Sequence, residues 1–511
     1  MRTDVVAFAG DGHDPATVVV RLAAMGFEFG TSQVVTRSLL DTVDRRLFRA
    51  GLRLEARESD GMELILTGHR SADAHLRVDA APRFPDELPP GPFRSRLAAV
   101  VEVRALLPVL HVTATRSAGR RHNRAGKVVS TVEIYERVRV DDLNVAECTV
   151  EIDELAGYAK HASAARKALV ELGLPTLSGD TLTMAAAALG LQIAGDSGPS
   201  AVPLDPAMPA IVGFRLVLAE LAATIVANWQ GTIEQLDPEF LHDLRVAIRR
   251  TRTVLAEGKR VLPSAIVKDA GQRFSRLGSM TGPARDLDVH LIGWDADTTA
   301  LPDAVVPALE PVHALLAQRN ETAHQTLARV LGSDDATELM LTAATWWRGP
   351  ALDDPPGDHA DRPLGKVVAK RIARAQAKLV ERGRLIRPDT PPEQVHDLRK
   401  DAKRLRYLLE CFATLLDDAP RKAFVRRLKD FQDNLGEHHD AAIHVAMLQE
   451  ISRELHLRHA SPETMLAIGQ LIAQLDRRRA ATRLAFAERF AAYDTKATQR
   501  ALDAALARSD R

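Results

Sequence analysis

Two copies of one residue pattern carry the densest chemistry in this chain. LHDLRVAIRRTR at 241–252 returns as VHDLRKDAKRLR at 395–406, an offset of 396 − 242 = 154 residues. Each copy reads His-x-x-Arg-x-x-x-Arg/Lys-x-x-Arg. Arginine brings a permanent charge and a forked set of donors, whereas histidine adds charge as pH falls. No serine, cysteine or carboxylate sits among them in a nucleophile arrangement. The chemistry on offer is therefore capture of an anion, not bond making. One such run, met alone, reads most simply as a solvated basic face. Its repetition argues against that reading.

Helical geometry decides which side these residues occupy. At ~100° per residue, His242, Arg245, Arg249 and Arg252 fall at about 0°, 300°, 340° and 280°, one third of a turn. Leu241, Leu244, Ile248 and Leu255 form the adjacent apolar stripe, placing all four polar residues off the core. His396, Arg399, Lys403 and Arg406 repeat the face, with Leu398, Leu405 and Leu409 beside it. Stacked cations repel by a few tenths of a kcal/mol per pair, and Asp243, Asp397 and Asp401 point away from them.

The repeat extends further. GPARDLDVHL at 282–291 answers GEHHDAAIHV at 436–445 with the same offset (440 − 286 = 154), and His290 and His444 share it. Turn segments DPE (237–239) and PPE (391–393) precede the two histidines. Equal spacing at separated points means an internal duplication. Glu437-His438-His439-Asp440 resembles paired His-Asp metal ligands, but its repeat partner places Arg285 where His439 stands. A metal ligand does not align with Arg, so no metal site is assigned there. Asp286 and Asp440 are read as helix caps or as partners that orient a cation.

The elements around the repeat divide the chain. Residues 1–178 mix β-branched runs, such as 127–140 and 146–155, with helical patterns near 15–25 and 158–172, the second ending at Gly173 before Pro175. That is α+β. A linker is expected over 179–206, its Gly/Ser/Pro-rich core at 194–206. Helical periodicity then dominates, giving all-α repeats at 207–350 and 360–511. Net charge is zero over 511 residues, so no bulk field draws the chain to nucleic acid or a membrane, and any polyanion site must be built locally. Scarce aromatics exclude base-stacking modules, and no sequence-specific nucleic-acid binding is expected. Cys148 and Cys411 have no metal-ligand spacing, and no signal peptide is visible, so the expected location is cytoplasmic. The apolar run at 209–229 is interrupted by Arg215 and Glu220 and is read as a buried helix, with no membrane partner.

From about 206 to 511 the chain resembles the CHAD (conserved histidine α-helical domain) family, on HDLRVAIRRTR, HDLRKDAKRLRY, LGSMTGPARDLD and LGEHHD. The resemblance implies two helical bundles related by a pseudo-two-fold, a shared basic groove, inorganic polyphosphate as ligand and association with polyphosphate granules. Carried over by position, the groove residues are His242, Arg245, Arg249, Arg252, His396, Arg399, Lys403 and Arg406. Arg273, Arg276, Arg427 and Lys429 are added from the helices ahead of the second motif. No cofactor is required for such binding, and no protein partner is specified.

Residues 38–69, with Asp41-Thr42, Leu47, Gly51 and Arg57, resemble the CYTH superfamily of triphosphate tunnel enzymes. That implies an antiparallel eight-stranded tunnel at 1–178, with basic groups on triphosphate and carboxylates on Mg or Mn. The opening Glu-x-Glu-x-Lys is absent, Glu55 stands for an Arg, and Thr67 stands for a Lys. Glu133, Glu151 and Asp153 remain as metal candidates, and Arg57 and Arg116 as phosphate groups. The domain is read as degenerate, with Mg or Mn needed only if it turns over substrate. The alternatives are a metal-dependent triphosphatase or short-chain polyphosphatase, and a granule-targeting adaptor whose N-terminal half docks a protein.

Overall fold

The computed structural model describes residues 2–9, 14–68, 71–155, 157–191, 202–347 and 355–508, with backbone alone at 2–6, 71–72 and 342–346. They divide into two compact units, 1–200 and 201–511.

Unit 1 holds one nine-stranded antiparallel sheet: β1 (Arg2–Ala9), β2 (Phe27–Phe29), β3 (Gln33–Asp41), β4 (Leu52–Ser59), β5 (Gly61–Gly68), β6 (Ser71–Val78), β7 (Leu107–His122), β8 (Val128–Val140) and β9 (Leu143–Leu155). The strand order is β1-β9-β8-β7-β3-β4-β5-β6, with β2 pairing β7. Two neighbouring-strand steps separate β3 from β8 and three separate it from β9. Across a flat sheet three steps span ~14 Å. Arg37 of β3 nevertheless donates to Glu151 of β9 at 2.9 Å, and Arg57 of β4 reaches Glu133 of β8 at 3.2 Å. The sheet must curl until its inner side chains meet. Period-two alternation puts Arg53, Glu55 and Arg57 on that side of β4. One strand more is present than the eight expected, the short β2.

The helices α1 (Pro15–Ala23) and α4 (Ala159–Glu171) stand where the apolar periodicity placed them, and Gly173 takes φ +84° beyond the second. Three short helices were not legible: α2 (Arg46–Arg49), α3 (Pro92–Val101) and α5 (Thr181–Ala188). The last corrects the expected linker. Asp180 caps α5 and also pairs with Arg53 at 2.7 Å, while Leu182, Ala185 and Ala186 bury into the sheet core. The first residues after 178 are therefore part of unit 1, and 192–201 lie outside the described residues.

Unit 2 is helical: α6 (Ala210–Ile233), α7 (Pro238–Glu257), α8 (Ser264–Met280), α9 (Gly282–Thr298), α10 (Glu310–Leu331), α11 (Asp334–Trp346), α12 (Leu364–Leu385), α13 (Pro392–Cys411), α14 (Asp418–Leu457), α15 (Pro462–Tyr493) and α16 (Lys496–Leu506). The duplication is visible in the starts: 364 − 210, 392 − 238 and 418 − 264 each equal 154. Duplicated residues also meet each other. Pro209 bridges Pro363, Ala210 N donates to Arg362 O, and Leu364 N donates to Met208 O. The reciprocity is that of a two-fold contact. By length and composition α6 is apolar enough to cross a membrane. Here its Phe214, Leu218, Ile225 and Trp229 belong to the shared core with α7, α12 and α13.

One asymmetry matters for the site. α14 runs unbroken for 40 residues, whereas its counterpart splits into α8 and α9 at Thr281-Gly282. Pro283 lies in the first turn of α9, where Glu437 stands in the second copy. Proline lacks an amide donor and its ring clashes with the preceding turn, which ends α8 there.

Candidate functional site

α7 and α13 pack against each other and, with the first turns of α9 and the middle of α14, enclose a cavity of about 260 Å³. Its lining takes His242, Arg245, Val246 and Arg249 from the first motif and Arg399 and Lys403 from the second. Arg285, Asp286, Val289, His290, His439, Asp440, Ile443 and His444 complete it. Five Arg or Lys side chains and four histidines thus face two aspartates.

The two motifs do not behave alike. Arg245 is buried, and its Nη1 donates to Thr281 Oγ1 at 3.0 Å and Gly278 O at 3.2 Å. It closes the carbonyl end of α8 that the proline break leaves open. This corrects the expectation that Arg245 stands clear of the packing. Its counterpart Arg399 has no such helix end to serve and donates to Asp440 at 3.3 Å, in keeping with an aspartate that orients a cation. Arg285 donates to His242 Nδ1 at 3.0 Å, and the His396 and His439 rings lie 4.6 Å apart. Arg249 is exposed on the cavity rim.

At the far wall His290 and His444, duplicated residues, face each other across the pseudo-two-fold with ring centroids 3.8 Å apart. His444 Nδ1 lies 2.9 Å from Asp297, which Arg478 also contacts at 3.2 Å.

Burial, and then the crowding of like charges, lowers the pKa of the cavity's basic groups. Burial, then the Arg399 and Arg249 guanidinium groups, bring the Lys403 ammonium down to about 7. Burial and Arg249 lower Arg245 to about 10. Burial and Arg399 hold His439 at about 4, and burial with His444 holds His290 at about 3. His242 is lowered by burial and Arg285, and His396 by burial and Lys400. An anion in this cavity would favour the charged form of each of these groups.

Of the sequence-chosen residues, the structure brings together His242, Arg245, Arg249, Arg399 and Lys403 in the cavity. His396 abuts it through His439. Arg252, Arg273, Arg276, Arg406, Arg427 and Lys429 do not line it. Arg273 pairs with Asp269 and Arg406 with Glu410, each at 3.0 Å. Sequence reasoning missed Arg285, His290, His439 and His444 as lining groups. The 154-residue offset marked all four, without showing where they point. Glu239, His242 and Asp243 are the group among the described residues whose ligand atoms lie close enough for a metal. There the Arg285 guanidinium already bonds His242 Nδ1 and would stand beside any cation held by Nε2.

Unit 1 holds a second charged cluster, already paired. Arg37 is bound by Glu55 at 2.8 and 3.0 Å and by Glu151 at 2.9 Å. Arg57 bridges Glu55 and Glu133, Arg116 also binds Glu133, and Arg53 binds Asp180. Arg37, Glu55 and Glu133 are almost fully buried. Burial alone would raise Glu133, but Arg57, Arg116 and the Tyr135 hydroxyl outweigh it and hold the carboxyl at about 2. Asp180 is likewise held at about 2 against burial by Arg53 and Arg37.

These carboxylates do not fit a divalent ion. Glu133 accepts from two guanidinium groups and Tyr135, Glu151 from Arg37 and the Thr181 amide, and Asp153 from Thr131. Folded values of about 2 against 4.5 for a free Glu mean stability present above pH ~4.5 and lost as pH falls toward ~2. Unit 1 is expected to unfold across that window, followed by near-ultraviolet circular dichroism. Glu55→Gln, which takes one of two carboxylate partners from both Arg37 and Arg57, should destabilise it by up to ~3–5 kcal/mol in urea melts.

A model of the CHAD domain family matches residues 216–449. The crystal structure of the CHAD domain from Ricinus communis is 28% identical, over 57% of this chain and 95% of that one, with a TM-score of 0.48. PptA from Streptomyces chartreusis is 19% identical, over 55% and 99%, at 0.42. A putative adenylyl cyclase from Hippeastrum with a dominant triphosphatase activity is 11% identical, over 37% and 96%, at 0.28. No curated protein matches the chain. The helical unit carries a CHAD domain over residues 216–449.

Proposed function

We propose that this protein binds inorganic polyphosphate in the helical unit, at the cavity between α7 and α13. One observation carries the reading: cations from both halves of the duplication converge on one cavity. A linear phosphate chain offers closely spaced charge and no base or sugar, and guanidinium forks with imidazoles match it. Association with polyphosphate granules and a cytoplasmic location belong to the same proposal. The binding needs no cofactor.

The sheet unit is proposed to be inactive toward triphosphate. Its inner arginines are neutralised by Glu55, Glu133, Glu151 and Asp180. An entering phosphate must break buried ion pairs before it gains any, and the acids that could hold Mg or Mn are engaged. The full chain incubated with long polyphosphate and with tripolyphosphate plus Mg or Mn should retain the long chain and release no phosphate. Metal-dependent release abolished by Glu151→Ala and Asp153→Ala would make the protein an enzyme. Absence of retention at low salt would remove the binding assignment.

A further inference from the structure

A second concave basic surface lies in unit 2 and owes nothing to the duplicated motif. The loop before α12 folds over the end of α7. Gly357 N donates to Val261 O at 3.2 Å and His359 N to Arg260 O at 2.8 Å. A Cβ at Gly357 would lie 2.4 Å from the Arg260 backbone, so the loop is held close to it. Between this loop and the first three turns of α12 is a cleft of about 230 Å³, lined by Arg260, Arg362, Lys366, Lys370, Arg371 and Arg374. Arg260 pairs with Asp358, and Arg371 stands 3.8 Å from Glu257. Lys366, Lys370 and Arg374 recur every fourth residue and pair with no carboxylate among the described residues.

The duplication supplies an internal control. Subtracting 154 from 362, 366, 370 and 374 gives Met208, Val212, Leu216 and Glu220 at the same places around α6. Arg260 corresponds to Thr414, whose hydroxyl donates to Val202 O. The first copy builds the corresponding helix with no cation in that row. The fold therefore does not require charge there. Three like charges at successive i, i+4 positions oppose helix stability, and a solvated face would interleave acids. None stands between these cations, whereas further along the row Lys378 and Arg382 are taken by Asp401 of α13.

We propose that this cleft is a second binding site for a linear oligophosphate. Cations spaced at ~6 Å steps along α12 suit a chain of phosphates lying parallel to the helix. His359 is the one aromatic ring in the cleft lining, too few for successive bases to stack on, which disfavours single-stranded nucleic acid.

The test is calorimetric titration of the full chain with tripolyphosphate at low salt. Three proteins are compared: the parent, a groove variant Arg249→Glu/Lys403→Glu, and the groove variant carrying Lys366→Glu/Lys370→Glu as well. All four side chains are at least partly exposed, and Gln in place of Glu at 366 and 370 serves as a milder pair. The groove variant should keep one weaker binding event, and the added cleft substitutions should reduce its affinity at least tenfold. Loss of all binding in the groove variant, or residual binding indifferent to 366 and 370, overturns the second site. A groove variant indistinguishable from the parent in both events strikes the proposed groove instead. Cleft-dependent binding of a short RNA or of anionic vesicles, with none of tripolyphosphate, also overturns the proposal.

Discussion

Replacing Arg249 and Lys403 by glutamate is expected to reduce affinity for long polyphosphate by two orders of magnitude or more. Arg249 comes from α7 and Lys403 from α13, so the pair removes one cation from each half of the cavity. Charge-assisted hydrogen bonds contribute ~1.5–3 kcal/mol each. Losing two corresponds to a factor of ~10²–10⁴, before the repulsion from two new carboxylates is counted. Neither residue belongs to the apolar core, and Arg249 lies on the rim, so the helices should survive. Removal of like-charge repulsion in the empty cavity even favours the unbound fold slightly. The salt dependence supplies a second readout. By analogy with nucleic acid, each neutralised phosphate adds ~0.7–0.9 to the slope of log affinity against log salt, and the variant should lose about two such increments. Binding at parental strength with an unchanged slope would place the polyanion elsewhere. Loss of helical circular dichroism would show that these cations hold the bundle together. Arg245 is a poorer choice for this test, because its bonds to Thr281 and Gly278 mix binding with the integrity of the α8 end.

That contrast shows what a sequence can and cannot convey. The duplication was legible because the offset survives at separated points, and three pairs of helix starts keep the same offset. The buried stripe of Leu241, Leu244 and Ile248 followed from period alone. The role of Arg245 did not, because it depends on where α8 stops, and Pro283 acts on a helix that the motif only touches in space. Arg285 and His439 were visible as aligned partners, and their opposite types argued against a metal. Their convergence on one cavity is a tertiary fact. In unit 1 the long strands β8 and β9 were legible from β-branched runs, whereas α2 spans a single turn and α3 and α5 carry no clear apolar stripe. Arg37, the centre of the ion-pair cluster, was not singled out at all. Its signal was a lone charge at a buried position of QVVTRSLLD, and only curling of the sheet brings Glu151 to it.

The empty cavity also predicts a pH dependence, with a sign that follows from its protonation. Lys403 is held at about 7 by burial and by Arg399 and Arg249, so near neutrality a fraction of the empty protein lacks this charge. A bound phosphate favours the ammonium and raises its pKa. Between the free value near 7 and the higher bound value, binding takes up a proton, and affinity must fall as pH rises. The limit is tenfold per pH unit for one proton, by linkage. His242, His396 and His439 act in the same direction at lower pH, since each is depressed in the empty site and favoured as imidazolium beside an anion. Affinity is therefore expected to strengthen from pH 9 to pH 6 in two stages, first through Lys403 and then through the histidines. Lys403→Arg should flatten the upper stage, because a guanidinium stays charged throughout. His242→Gln with His396→Gln should flatten the lower stage and leave the upper one. Protonation of the ligand's terminal phosphates near neutrality weakens binding at low pH for every variant alike, so the comparison between variants carries the test. A profile identical in the parent, Lys403→Arg and the double glutamine variant would mean that the anion does not touch these groups, and that the cavity's depressed charges serve no ligand.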